Sequence, residues 1–270
     1  MKKALLLLLI LLSSSNTLIQ AFSAENWDTL KTVAYHGAFL VPVISNTYRY
    51  VNTENILKNN FTKIEDKNII NFITAVCNKI TDQEISFYTG DATVFGLPKE
   101  YIAAAVGDKN IIIEPDYYKI IEEYIYDETK ENRDTILNIL SFIMQHETGH
   151  LKNNDMKTRI IRSIAVYAAK ACLFEASKKV LDFKASQLIT FLSLNIMDTL
   201  IQSYFNKQQE YRADSGITGK NTIAGGKQFF TNIINLAKND PAIDLAIKLD
   251  LNHPTPEDRL KILQELDPAV

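Results

Sequence analysis

The stretch "DTILNILSFIMQHETGHLKNND", residues 134–155, decides how the rest of the chain is read. Ile139, Leu140, Ile143 and Met144 fill the turns before His146, so the segment reads as a buried helix. Within it stand His146, Glu147 and His150. Helical positions four apart lie about 40° apart around the axis, so both imidazoles leave one face and Glu147 occupies the neighbouring strip. Two neutral ring nitrogens can hold zinc, and a carboxylate beside them can take a proton from water. Gly149 sits mid-helix, where it costs about 1 kcal/mol relative to alanine. Close approach of another backbone would account for it.

A metal held by two histidines needs a third protein ligand. The position ten residues after His146 is Met156, and the region around Ala169 and Lys170 carries no glutamate before Glu175. Further on, "NKQQEYRADSGI" (206–217) places Glu210 and Asp214 four apart on a predicted helix. One can reach the metal while the other supports a ligating histidine through its free ring nitrogen.

The chain has 270 residues, 46% of them hydrophobic, which is enough for a substantial core. It opens "MKKALLLLLILL", a basic start followed by a short apolar run and then small residues at Ala21-Phe22-Ser23. This pattern predicts a secretory signal peptide over residues 1–23, a mature chain from Ala24, and a periplasmic or secreted destination. The run is shorter than the roughly 20 residues of a membrane-spanning helix. Removing Lys2 and Lys3 takes the formal net charge from −3 to −5. An acidic chain without a basic block gives no electrostatic reason to bind nucleic acid. Cys77 and Cys172 are too few for a disulfide scaffold, although they could pair once.

The remaining pattern predicts an α+β protein, predominantly α-helical. Residues 52–80 are spaced as amphipathic helix with a break near Asp66. Short stretches rich in branched and aromatic residues follow, at 85–90, 92–97, 101–107 and 110–115, and read as strands. "GDKN" (107–110) forms the hairpin between the last two. Helices are expected over 116–126, 133–153, 156–183, 186–217, 222–238 and 255–265. The span from Leu188 to Phe205 is apolar but contains Asn195, Asp198 and Gln202, which suits a buried helix, or one against a membrane or partner, better than a transmembrane one. In "HPTPEDRL" (253–260), Thr255 is placed to cap a helix that starts at Pro256. Pro254 holds His253 extended just outside that helix. The stretch alone leaves His253 either a turn residue or part of a site built elsewhere.

Three motifs in one order, "HETGH…LKNND", "EYRAD" and "HPTPEDRL", resemble the zinc metalloendopeptidases of the CAAX prenyl protease and HtpX-like gluzincin family, in its soluble periplasmic form. The likeness runs over roughly residues 55–265. It implies a minimal gluzincin fold, with a small antiparallel sheet packed beside the zinc helix in a single domain from residue 24 to 270. It also implies one zinc ion per chain, held by His146, His150 and Glu210, with Glu147 as general base and Asp214 behind a ligand. His253 and Arg259 would lie at the active site, and Asp91-Ala92 would correspond to the substrate-binding edge strand, where the family usually has Asn-Ala. Substrates would be polypeptides of exported or misfolded envelope proteins. Peripheral association with a membrane or envelope protein stays open, as does a role as a periplasmic chaperone or assembly factor that uses the fold mainly to bind clients.

Overall fold

The periodicity is realised mainly as helix in the computed structural model, which describes residues 27–97, 101–180 and 184–267. The expected signal peptide lies outside these residues. Helix α1 (Trp27–Val51) is followed by α2 (Thr53–Asn60) and a two-residue strand β1 (Thr62–Lys63). The break expected near Asp66 is a helix start. The Asp66 carboxylate accepts hydrogen bonds from the backbone N–H groups of Asn68 and Ile69, capping α3 (Lys67–Cys77).

Next come β2 (Ser86–Thr89), β3 (Ala103–Val106) and β4 (Asn110–Ile113). The described strands form one sheet in the order β1-β2-β4-β3. β3 and β4 are the expected antiparallel hairpin, turning at Gly107 with φ of 63°. The sheet is nevertheless mixed, because β2 pairs with β4 in parallel. The connection between them is long enough to bring the chain back to the same end, and β3 is added outside β4.

One expected strand is absent. Residues 92–97 contain instead a 3₁₀ turn, Ala92–Phe95, so Asp91 and Ala92 do not lie on an edge strand. The Asp91 side chain accepts the Thr93 N–H at 2.9 Å, an alternative to ladder bonding that short polar side chains offer. Gly96, left-handed at φ 75°, ends the turn. Ala92 is fully buried in a small cluster with Leu57, Phe95, Tyr101 and Ile112.

The chain then runs helical through α4 (Pro115–Tyr126), α5 (Arg133–Lys152), α6 (Asp155–Val180), α7 (Lys184–Ser215), α8 (Lys220–Asn239), α9 (Pro241–Leu249) and α10 (Pro256–Leu266). Every residue of β4 is buried, as its run of isoleucines requires of a strand covered on both faces. Ile111 and Ile113 join the main core with Ile69, Phe142, Phe230 and Leu263, while Ile112 faces the smaller cluster.

The described parts fall into two compact units, one from Met1–Thr53 with Lys157–Thr199, the other from Glu54–Met156 with Leu200–Val270. The first contains α1, nearly all of α6 and the first half of α7, and has its own small core of Phe39, Phe174 and Leu194. The second holds the sheet and the main core. Cys77 and Cys172 are both free thiols, and burial pushes the Cys77 thiol up to about 11.

Candidate metal centre

From Leu140 to Leu151 helix α5 is buried except for the half-buried Glu147 and His150, and it carries His146, Thr148 and Gly149 into the core of the second unit. Gly149 meets the close neighbour its position predicts. A Cβ built there would lie 3.2 Å from the Ala213 Cα, so α5 and the end of α7 touch almost backbone to backbone. That contact brings Glu210 and Asp214, both on α7, against the two histidines.

The Nε2 atoms of His146 and His150 are 3.1 Å apart. Glu210 places Oε2 3.2 Å from His146 Nε2 and Oε1 3.4 Å from His150 Nε2. Tetrahedral zinc with bonds of about 2.0–2.1 Å would space its donors about 3.3 Å apart, so this trio fits the ion in donor type and spacing. Among the described residues, His146, His150 and Glu210 are the group that offers three such donors together.

Each histidine is held from behind. His146 Nδ1 lies 2.9 Å from Asp214 Oδ1, and His150 Nδ1 lies 2.8 Å from Asp155 Oδ2. A carboxylate on the far nitrogen fixes the proton there and turns the other nitrogen toward the metal position. Asp214 is itself fixed by Arg259 of α10, whose Nε and Nη2 donate to its two oxygens at 2.6 and 2.8 Å. Arg259 also reaches Glu210 Oε2 at 3.4 Å and covers the Phe230 ring at 4.6 Å. It is thus a positioning residue behind the ligands.

Asp155 did not stand out in the sequence. It follows two asparagines, of which Asn154 adopts the left-handed conformation at φ 54°. The chain therefore reverses at the end of α5 and starts α6 with Asp155 facing back to His150. Arg212 pairs with the other Asp155 oxygen. A helix-stopping Asn-Asn followed by an acid, three to five residues after a ligand, was the available signal.

Charge in this cluster is mutually held. Burial alone would raise the Glu210 carboxyl, but hydrogen bonds to His146 and His150 hold it well below its ordinary value. Burial likewise opposes ionisation of Asp214, yet Arg259 and His146 keep it lowered. Burial would make His150 a weaker base, but Asp155 and Glu210 outweigh it and push the ring up to about 10. His146 is raised for the same reason, through Asp214 and Glu210.

Glu147 points to the sheet, and its Oε2 accepts the Ala105 N–H of β3 at 2.8 Å. His253 lies at the rim, about half exposed, with Nε2 3.9 Å from Glu210 Oε1. Its Nδ1 is 2.7 Å from Asp250 Oδ2, and Asp250 Oδ1 also accepts the backbone N–H groups of Asn252 and His253. One carboxylate thus fixes both the turn and the ring. Thr255 caps α10 as expected, accepting the Asp258 N–H at 3.2 Å.

Comparison with known proteins gives the family. The sequence model described as Peptidase family M48 matches residues 132–267, from the start of α5 to the end of α10. Among solved structures, the crystal structure of S. mikatae Ste24p is similar with a TM-score of 0.51 at 17% identity. The likeness covers 97% of this chain and 62% of that one, so this chain spans less than two thirds of that protein. No curated protein matches the sequence. With the matched half of the chain containing both histidines, Glu210 and the arginine behind them, the chain belongs to peptidase family M48, the zinc-dependent metallopeptidases.

Proposed function

We propose that this metallopeptidase is an endopeptidase acting on exported or misfolded envelope polypeptides, with Glu147 as the general base. The observation that carries the reading is the His146–His150–Glu210 trio with a carboxylate behind each histidine and Glu147 beside it. Zinc held there supplies Lewis acidity and makes water a nucleophile near neutral pH.

The chain's own residues then divide the work. β3 is an edge strand, and alternation along an antiparallel pair turns the N–H and C=O groups of Ala103 and Ala105 away from β4. A substrate laid alongside as an added strand is bound by its backbone, with little dependence on sequence. This moves the substrate edge from Asp91-Ala92 to residues 103–106. The scissile carbonyl then lies above the trio, where Glu147 takes the proton of the attacking water and passes it to the leaving amine. His253 is placed at the rim to donate to the oxygen on which charge develops, and Asp250 holds its ring. The expected site of action, the periplasm or the exterior, follows from the first 23 residues of the sequence.

Cleavage of casein by the purified protein tests the reading. It should be abolished by a chelator, restored by zinc and abolished by Glu147→Gln with zinc still bound. Cleavage that survives Glu147→Gln would remove Glu147 from the mechanism. Protection of an unfolded client by the same variant, with no cleavage by the wild type, would make client binding the activity.

A further inference from the structure

Met156 stands ten residues after His146, where a histidine would have been a third metal ligand, and the structure gives it a different partner. Its Sδ accepts the backbone N–H of Gly107 at 3.1 Å. Gly107 opens the turn that ends β3, and both residues belong to the second unit. The alternation that turns the N–H groups of Ala103 and Ala105 away from β4 makes that of Gly107 the next one to face outward. A thioether is a weak acceptor, so a peptide carbonyl would satisfy this donor better. The sulfur nevertheless occupies the place that such a carbonyl would take.

The hairpin has supports of its own. β3 and β4 pair from Ala103–Ile113 to Val106–Asn110, and Gln83 Nε2 donates to the Asp108 carbonyl in the turn at 2.7 Å. Met156 is tied instead to the metal centre. It directly follows the buried Asp155, whose carboxylate lies against His150 on one oxygen and Arg212 on the other. The Asp155 carbonyl also accepts Gln209 Nε2 at 3.3 Å, next to the ligand Glu210. The sulfur is therefore fixed relative to the metal ligands. Along β3 it lies two residues past Ala105, where Glu147 is bonded, an advance of about 7 Å at strand geometry.

We propose that Met156 is a specificity-determining residue that closes the substrate edge at its hairpin end, an inference that rests on β3 being the strand on which substrate is laid. A peptide added there pairs with Ala103 and Ala105. Past Ala105 it meets the thioether in place of a third backbone donor. The cut falls near Glu147, so the substrate is gripped through its backbone mainly on one side of the scissile bond. On the other side, toward the hairpin, added residues bring no further backbone bonds.

The test is a set of fluorescent peptides with a single cleavage site, lengthened stepwise at either terminus. KM is measured on the zinc-loaded protein, and Kd on zinc-loaded Glu147→Gln, so that binding is read independently of turnover. At one terminus the wild type should stop gaining affinity after about two residues. Met156→Ala should move that limit outward by about two residues and bind the longest peptides about three- to tenfold more tightly. The gain should be confined to peptides longer than the wild-type limit, whereas a merely structural role would weaken peptides of every length. Met156→Gln, whose amide oxygen can take the Gly107 N–H, should keep the wild-type limit. Met156→Ser serves in place of Met156→Ala if the latter loses zinc or helix content. An unmoved limit in the folded, zinc-loaded small variant overturns the proposal. Ala103→Pro separates this outcome from failure of the reading beneath it. It removes an outward N–H at the first strand position without breaking a bond to β4, and should weaken every peptide. No effect of Ala103→Pro would remove β3 as the substrate edge and the role of Met156 with it. Weakening by Ala103→Pro, with a limit indifferent to Met156, would remove the role of Met156 alone.

Discussion

At the residue scale, the centre depends on groups that never touch the metal. Asp155 and Asp214 each fix one imidazole, so removing either leaves a ligand free to rotate. Asp155→Asn should lower zinc affinity by about 10–100-fold, read by competition with a calibrated chelator, with the fold retained by circular dichroism. His253 predicts the opposite division. His253→Ala should keep zinc at one per chain and lower kcat by about a hundredfold, and loss of zinc instead would make His253 a ligand. Asp250→Ala should lower kcat on the order of tenfold at unchanged KM and zinc content, since it releases the ring without removing it. The zinc helix and Glu210 were legible because their chemistry is written in residue type and helical spacing. Asp155 and Asp250 were not, because each acts across a turn whose path depends on local backbone conformation.

At the element scale, α8 sets the height of the zinc helix. A Cβ at Gly225 would fall 2.2 Å from the carbonyl carbon of Asn138, and one at Gly226 would fall 2.5 Å from the Phe142 ring. Both glycines are therefore needed for two backbones to approach. Gly225→Ala must push α8 off α5 and should destabilise the protein by about 1–3 kcal/mol or more, measured by urea unfolding of the zinc-loaded form. The helices from α4 to α8 and α10 lie within a few residues of their expected bounds, since each has a sustained apolar face. Helix α1 was not predicted because its apolar residues lie on both the inward side (Phe39, Val43) and the outward side (Val41, Ile44), which blurs the helical period. The 3₁₀ turn at 92–95 escaped because its branched and aromatic residues mimic a strand, and the Asp91 cap that overrides them is a single side chain. Parallel pairing of β2 with β4 could not be read locally, because it depends on how the intervening chain returns.

At the scale of the whole molecule, the metal and the protons compete for one set of groups. In chelator-treated protein the carboxylates around His146 and His150 raise both rings, His150 to about 10. Near pH 7 the His150 ring then carries a proton that zinc must displace. Zinc binding should therefore release protons at neutral pH, measured by calorimetry in buffers of different ionisation enthalpy, and its affinity should fall as pH falls. The chelated form gains stability from a histidine whose folded value is raised. That contribution is complete below the unfolded value near 6.5 and is lost as pH rises through about 10. Its melting temperature should drop between pH 7 and 10 while that of the zinc-loaded form changes less.

The edge formed by β3 is four residues long, and one of its outward N–H groups is already held by the Glu147 carboxylate. Such an edge is too short and too close to a negative charge to join the sheet of another folded protein. What it can accept, on the proposed reading, is a few residues of backbone whose own hydrogen-bonding groups are free. A native protein rarely offers such a stretch, and a damaged or unassembled one does. The length of one strand thus becomes a gauge of whether a passing chain has folded.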